Sequence, residues 1–432
     1  VSQIHLSGRA PVVFFEAMVL GQARQLEASR TGIYRCVLEL LRALVEHHPD
    51  LLIVPFSRSP DQAADLALEL KEQGLPVGLA PRQALVYRLL KVLLPERLAR
   101  WHLRRIVHGL RRRIYDAVIE HAIPAAPGSP ILQDTFLLTH LGRAGETCSR
   151  VAIAYDLIPI LHSAWSQDGF FALFDSFYSS LRIQDSVICI SEATRRDLLR
   201  CYTQLDPDRC PVVPLAASEH FRPVDDLVGL ASLKSRIGLT ADQPYFLSVC
   251  TLEPRKNLAT VVQAFAQLPG LHDVHSNLRL VLTGTAGWGD QTRVIGLAKE
   301  LGILDRLVIT GFLSDEDLPL LYSSAVGFLY PSLYEGFGLP VLEAMQCGVP
   351  VITSDRSSLP EVAGDAGIMV DPLDPSAIAA AMAALLASAN LQSSMQARSL
   401  ALAARFSWQA SAARVAELYR ALSAAPSAVS SL

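Results

Sequence analysis

The feature that most limits what this chain can fold into is an alternation of short apolar runs with longer amphipathic segments, made twice along 432 residues. "VVFFEAMVL" reads as a strand, and "TGIYRCVLELLRALVEHH" places Ile33, Val37, Leu40, Leu41 and Leu44 on one helical face. "LLIVPF", "VAIAYDLIPI" and "DSVICIS" read as further strands, followed by a helix from Glu192 to about Tyr202. A proline-bearing stretch, "VVPLAASEHFRPVDD", breaks the pattern, and "PYFLSVC" restarts it. The second round runs through "YFLSVC", a helix from Asn257, "LRLVLTG", a helix from about Asp290, "LVITGF", a helix from Asp315, "VGFLYPS", a helix from Pro340 and "VPVITS". Alternation of this kind predicts an α/β architecture in which helices cover both faces of parallel sheets. The chain is longer than one hydrophobic core usually supports, so two doubly wound domains are expected. Residues 1–220 form the first and 221–405 the second. From Phe406 a last helix aligns Trp408, Ala412, Val415, Tyr419 and Leu422, and 406–432 ends in a loose tail.

Half the residues are apolar and 19% are charged, which fits a globular chain, and the net charge of −4 gives no reason to expect nucleic acid as partner. Seven cysteines, odd in number and without zinc spacing, fit a reducing cytosol. The first twenty residues lack the basic head and apolar core of a signal peptide, and no window is apolar enough to span a bilayer. A cytoplasmic protein, peripheral at most on the inner membrane face, is expected. One segment departs from the average: residues 82–113 carry ten Lys/Arg and one acid, so this stretch is +9 and the remainder −13. Its interleaved leucines, Val92, Trp101 and Ile106 suit an anionic membrane surface, the alternative being a solvated face packed on the first domain.

Three motif regions carry chemistry. In "TLEPRKN", Arg255 and Lys256 stand just before a helix whose expected N-cap is Asn257. Free backbone N–H groups and the helix dipole favour an anion there. Two cations at that end need something negative to balance them, and a diphosphate is the natural occupant; pairing with surface carboxylates is the plainer reading. In "PSLYEGFGLPVLEAM", Glu335 lies on a loop and Glu343 in the first turn of a helix opened by Pro340. Gly336 and Gly338 permit a ligand to approach the backbone closely. The two acids are expected to flank one pocket, one holding a ribose diol and the other a hexose, or else to be solvated separately. "LTGTAGWGD" has the order G-x-x-G-x-G, which is not the dinucleotide fingerprint, and reads as a phosphate-side or hinge loop.

"EGFGLPVLE" has the E-x7-E spacing of the retaining glycosyltransferases of family 4. "LEPRKN", "TGFLSDEDLPLLYSSA", "YPSLYEGFGLPVLEAMQCGVPVITSD" and "LPEVAGDAGIMVDP" resemble that family's C-terminal half almost throughout, and "RTGIYR", "YDLIPI", "ICISEATRRDLL" and "VPLAASEHFRP" extend the likeness more weakly. The resemblance implies a GT-B fold of two Rossmann-like domains, with the C-terminal helix crossing back to the first. It implies a nucleotide-sugar donor as substrate, no metal and no further cofactor. Carried over, Arg255 and Lys256 hold the donor diphosphate, Glu343 the ribose, and Glu335 with the backbone of Gly336, Phe337, Gly338 and Leu339 the donor sugar. Gly311, Phe312 and Leu313 border the base, while Gly32 and Arg35 approach the phosphates from the first domain.

Two positions depart from the family pattern. Tyr155-Asp156 stands where many relatives carry His-Asp, leaving Asp156 to orient an acceptor hydroxyl or to cap its loop, and Cys250 replaces a common glycine. The reading that follows is a metal-independent retaining hexosyltransferase of bacterial surface polysaccharide synthesis. It uses mannose or a related sugar from a GDP donor and a glycan or lipid-linked glycan acceptor. The alternatives are a UDP-hexose-dependent transferase, a sugar-nucleotide epimerase or hydrolase, and an inactive donor-binding partner subunit.

Overall fold

The computed structural model describes residues 10–25, 32–57, 59, 62–93, 130–135, 148–166, 168–271, 273–285 and 290–424. Most of the basic segment, beyond residue 93, and the glycine loop 286–289 lie outside the described residues.

Two wholly parallel sheets form the framework. The first contains β1 (Val12–Glu16), β2 (Leu52–Phe56), β3 (Ile131–Asp134), β4 (Ser149–Ala154) and β5 (Ser186–Cys189) in the order β2-β1-β3-β4-β5. The second contains β6 (Tyr245–Val249), β7 (Arg279–Thr283), β8 (Leu307–Gly311), β9 (Gly327–Tyr330), β10 (Val351–Ser354) and β11 (Ile368–Val370) in the order β11-β10-β9-β6-β7-β8. Counted within each sheet, these are the 2-1-3-4-5 and 3-2-1-4-5-6 windings of doubly wound folds. Burial on both faces explains the near-continuous apolar strands: Phe246, Leu247, Phe328, Leu329, Val351 and Ile352 are all fully buried.

Several element boundaries differ from the sequence expectation for local reasons. The first strand stops at Glu16, because the Glu16 carboxylate accepts a hydrogen bond from Met18 N (2.8 Å) and a helix, Met18–Gln25, follows. "VAIAYDLIPI" is strand only to Ala154, since Asp156 Oδ1 accepts from Ile158 N (2.9 Å) and opens the short helix Ile158–Leu161. The helix expected from Asp315 begins at Leu318. Asn257 is not a side-chain N-cap. Its backbone is left-handed (φ 60°), and its amide instead donates to Pro331 O (3.1 Å) and Pro372 O (2.6 Å), tying two loops together. The strands β3, "ILQD", and β11, "IMV", were not anticipated: four and three residues are too few for a periodic signal, and half of β3 is polar.

The last helix, Trp408–Ala424, returns to the first domain and packs on the helix Gly32–His47 and on β3. Val415 and Tyr419 are buried, Arg420 pairs with Asp50 (2.8 Å), and Tyr419 OH donates to the buried Gln133 Oε1 (2.7 Å). This contact yields a test. Tyr419→Phe strands the Gln133 amide without its donor and should cost about 1–3 kcal/mol, read as a lowered denaturant midpoint with unchanged slope.

Candidate functional site

In the second sheet, β6 and β9 are neighbours whose following connections leave in opposite directions, the place where open α/β sheets bind ligands at the carboxyl ends of their strands. The two loops that diverge there are those of the sequence motifs. After β6 the chain makes a 3-10 turn, Pro254–Lys256, and after β9 it runs through Pro331 to Gly338 into the helix Leu339–Gln346. Leu333 N donates to Arg255 O (2.8 Å), so the loops are joined through their backbones as well as by Asn257.

The anion that balances the two cations is Glu335. Its carboxylate accepts from Arg255 Nη1 (2.9 Å) and from Lys256 Nζ (2.6 Å), in a surround where all three side chains are largely buried. Lys256 also donates to Tyr330 OH (2.6 Å) and lies over that ring, while Arg255 reaches Glu253 (3.0 Å). Burial alone would raise the Glu335 pKa, but Arg255 and Lys256 hold it down to about 2. Burial and the neighbouring guanidinium push Lys256 below the usual lysine range. The sequence allowed for pairing with surface carboxylates; the partner is a buried carboxylate of the facing motif loop, and the cluster is closed upon itself. Cys250, one strand-end away, is buried, with its thiol pushed up to about 11 by desolvation.

Glu343 occupies a different environment. It is the fifth residue of its helix, past the first turn where the sequence placed it, and it is buried with Tyr322 OH donating to Oε2 (3.2 Å) and Arg35 Nη1 donating to Oε1 (3.3 Å). Arg35 comes from the first domain, in the first turn of Gly32–His47, and also pairs with Asp315. Thus the anions that Arg35 meets are two carboxylates of the second domain. A cavity of about 330 Å³ opens here, lined by Tyr34, Arg35, Glu39, His220, Asp315 and Glu343 among others. Glu335 is not in its wall, so the expectation that both acids flank one pocket is corrected. Gly32 faces Leu339, a lining residue, at ordinary contact distance (3.8 Å for an added Cβ). Gly311 ends β8 with φ 72° and accepts from Gly284 N (2.9 Å), while Phe312 is 72% exposed and Leu313 packs against the core.

The glycine loop is the seam between the domains. A Cβ at Gly336 would lie 1.9 Å from Tyr155 O, so this glycine serves an approach of first-domain backbone. Gly336 O accepts from Ser191 Oγ (2.7 Å) and Thr194 Oγ1 (3.2 Å), and Tyr334 OH donates to Asp197 (2.8 Å). Glu361 accepts from the Glu192 and Ala193 amides (2.7 Å each) at the start of the helix Glu192–Cys201. Phe337 packs edge-on against Phe406, and Gly338 takes φ 110° to start its helix. Asp156 is half-buried beside Gly336, with its carboxyl pKa raised by desolvation, and its Oδ1 accepts from Ile158 N. The structure therefore brings Arg255, Lys256, Glu335, Gly336 and Asp156 together, and sets Arg35, Gly32, Leu339 and Glu343 around the neighbouring cavity. Sequence reasoning missed Tyr322, Tyr330, Asp197, Asp315 and Glu361. The tyrosines gave no signal beyond strand and helix propensity, and the acids pair across the seam.

Residues 232–401 match the family model of the glycosyl transferases group 1. The chain is 38% identical over 248 residues to the O-antigen chain mannosyltransferase B of Escherichia coli, covering 57% of this chain and 63% of that protein. It is 32% identical over 262 residues to the serotype-specific mannosyltransferase WbdA of Escherichia coli, covering 60% of this chain and 32% of that one. The matches thus span less than two thirds of these relatives' length. Among solved structures, Anabaena HepE in complex with UDP and glucose superposes with a TM-score of 0.65 at 16% identity, covering 95% of this chain and all of that one. WaaG, a glycosyltransferase involved in lipopolysaccharide biosynthesis, superposes with a TM-score of 0.59 at 14% identity, covering 95% and 99%. The two facing doubly wound sheets are those of the GT-B fold, and the second of them carries the stretch that matches the group 1 glycosyl transferases.

Proposed function

We propose that this chain is a retaining hexosyltransferase of bacterial surface polysaccharide synthesis, taking mannose or a related sugar from a GDP donor to a glycan or lipid-linked glycan. The observation that carries the reading is the buried Arg255–Glu335–Lys256 cluster at the switch point of the second sheet. The mannosyltransferase relatives support the sugar. A donor diphosphate competes with the Glu335 carboxylate for the same two cations, and its binding frees Glu335 to accept hydrogen bonds from the donor sugar.

In the reaction so proposed, the bond from the anomeric carbon to the β-phosphate oxygen breaks, its electron pair staying on the phosphate. The acceptor hydroxyl oxygen bonds the anomeric carbon from the same face, and its proton passes to the departing phosphate. Charge grows on the β-phosphate as the bond stretches, so the fixed Arg255 and Lys256 stabilise the transition state more than the ground state. Both are placed beforehand by Glu253, Tyr330 and Glu335, so the donor exchanges one anion for another at cations already in position. Asp156, occupied with Ile158 N, serves by shaping the loop under the acceptor side.

The decisive experiment is transfer of label from GDP-mannose, UDP-glucose and UDP-galactose to added acceptor, in EDTA. Transfer from the GDP-sugar that persists in EDTA is expected; free sugar, an epimer, or binding without turnover would replace the reading by a hydrolase, an epimerase or an inactive subunit. Lys256→Met should lower the transfer rate about a hundredfold. A rate equal to the unaltered protein would remove the cluster from the mechanism. Glu335→Gln leaves the buried Lys256 without a carboxylate and Arg255 with Glu253 alone, and should cost about 3–5 kcal/mol of stability as well as activity, so its folding is to be checked by calorimetry.

We further propose that the basic segment rests on an anionic membrane. Its described start, the helix Ala80–Leu93, exposes Leu85 and Leu89, and Arg82 and Arg88 are exposed on the same helix. Flotation with liposomes containing anionic lipid should carry the protein upward at low salt and release it as salt rises, and no flotation at low salt would overturn this proposal.

A further inference from the structure

The cavity between the domains contains one feature that donor binding alone does not require: a first-domain guanidinium fixed on a second-domain carboxylate. Glu343 Oε1 accepts from Arg35 Nη1 (3.3 Å) and Oε2 accepts from Tyr322 OH (3.2 Å). An ionised carboxylate has about four acceptor positions, two on each oxygen. With one on each oxygen occupied, one on each is left, and Glu343 lines the cavity. Two acceptors on one carboxylate match the two adjacent hydroxyls of a ribose.

We propose that Arg35 is a positioning residue of the donor site, acting on the bound ribose through Glu343 by fixing that carboxylate across the domain boundary as an acceptor for both hydroxyls. The inference rests on the donor reading above and goes beyond it, because Arg35 touches the carboxylate and not the reacting phosphate. Without the guanidinium the carboxylate is buried beside a tyrosine hydroxyl and an acid. Burial raises the Glu343 pKa; Arg35 and the Tyr322 hydrogen bond oppose it, and Asp315 adds to the rise. A protonated Glu343 presents a donor on one oxygen and can accept only one of the two hydroxyls. The groups that face Glu343 or share its cavity are Arg35, Cys36 and Glu39 from the first-domain helix, Tyr322, Asp315 and Glu316 of the second domain, Cys347 just past the end of its own helix, and His220.

The sign follows. A carboxylate with a raised pKa accepts both hydroxyls above that pKa and fails as pH falls through it. Removing Arg35 raises the pKa further and moves the failure to higher pH. The test is calorimetric titration of GDP and 2′-deoxy-GDP, and of UDP and 2′-deoxy-UDP, across a pH series with unaltered, Arg35→Met and Arg35→Lys proteins, all in a His220→Gln background that removes the cavity's imidazole. The protein with Arg35 should favour the ribo over the deoxy form about tenfold at the alkaline end of the series, where Glu343 is ionised. In Arg35→Met that preference should collapse at a higher pH than in the protein with Arg35, and Arg35→Lys should restore it. The ribo-to-deoxy ratio is internal to each protein, so a merely structural Arg35 would weaken both forms alike and leave the ratio and its pH dependence unmoved, which overturns the proposal. Binding of no nucleotide by the protein with Arg35 overturns the donor reading itself, and this inference with it.

Discussion

A single carboxylate, Glu335, between Arg255 and Lys256 is what the second domain is organised around. Three charges out of water are tolerable only when each is paired, and both cations share the Glu335 carboxylate. The pairing fixes two loops that leave the sheet in opposite directions, and the amide of Asn257 and the Leu333 amide lock the same loops through backbone. Lys256 is held additionally by Tyr330, whose ring and hydroxyl both face it. The cost of keeping two cations at one end of a helix is met inside the chain.

Domain contact depends on this loop as well. Because Gly336 has no side chain, Tyr155 O and Asp156 come against it, and Ser191 and Thr194 reach its carbonyl. Tyr334 carries the seam to Asp197 and Glu361 to the amides of Glu192 and Ala193. The residues flanking the charge cluster in sequence are therefore those that bind the first domain. On the other side, Arg35 makes the reverse connection, from the first domain to two acids of the second. The cleft is spanned by polar contacts on both sides, and the last helix adds an apolar strap behind it.

Much of the winding was legible because parallel strands buried on both faces read as plain apolar runs, and Gly32–His47 keeps a helical period throughout. Boundaries were less so: Glu16 and Asp156 end strands by accepting single amides, events that leave no periodic trace. At the site, the spacing of Arg255, Lys256, Glu335 and Glu343 singled out the right positions. It could not say that Glu335 would lie on the cations, since the partner is 79 residues away from Lys256. Nor could it say that Gly336 meets backbone where a ligand was expected.

Two doubly wound halves and the loops that carry charge are legible along the chain, because periodicity and motif order are local properties. The fold sets which charge neutralises which, and that Glu343 lines the interdomain cavity while Glu335 lies on the two cations. Those are matters of distance between residues brought together by the two sheets, and Coulomb and hydrogen-bond energies depend on that distance and on burial, neither of which is written in spacing along the chain.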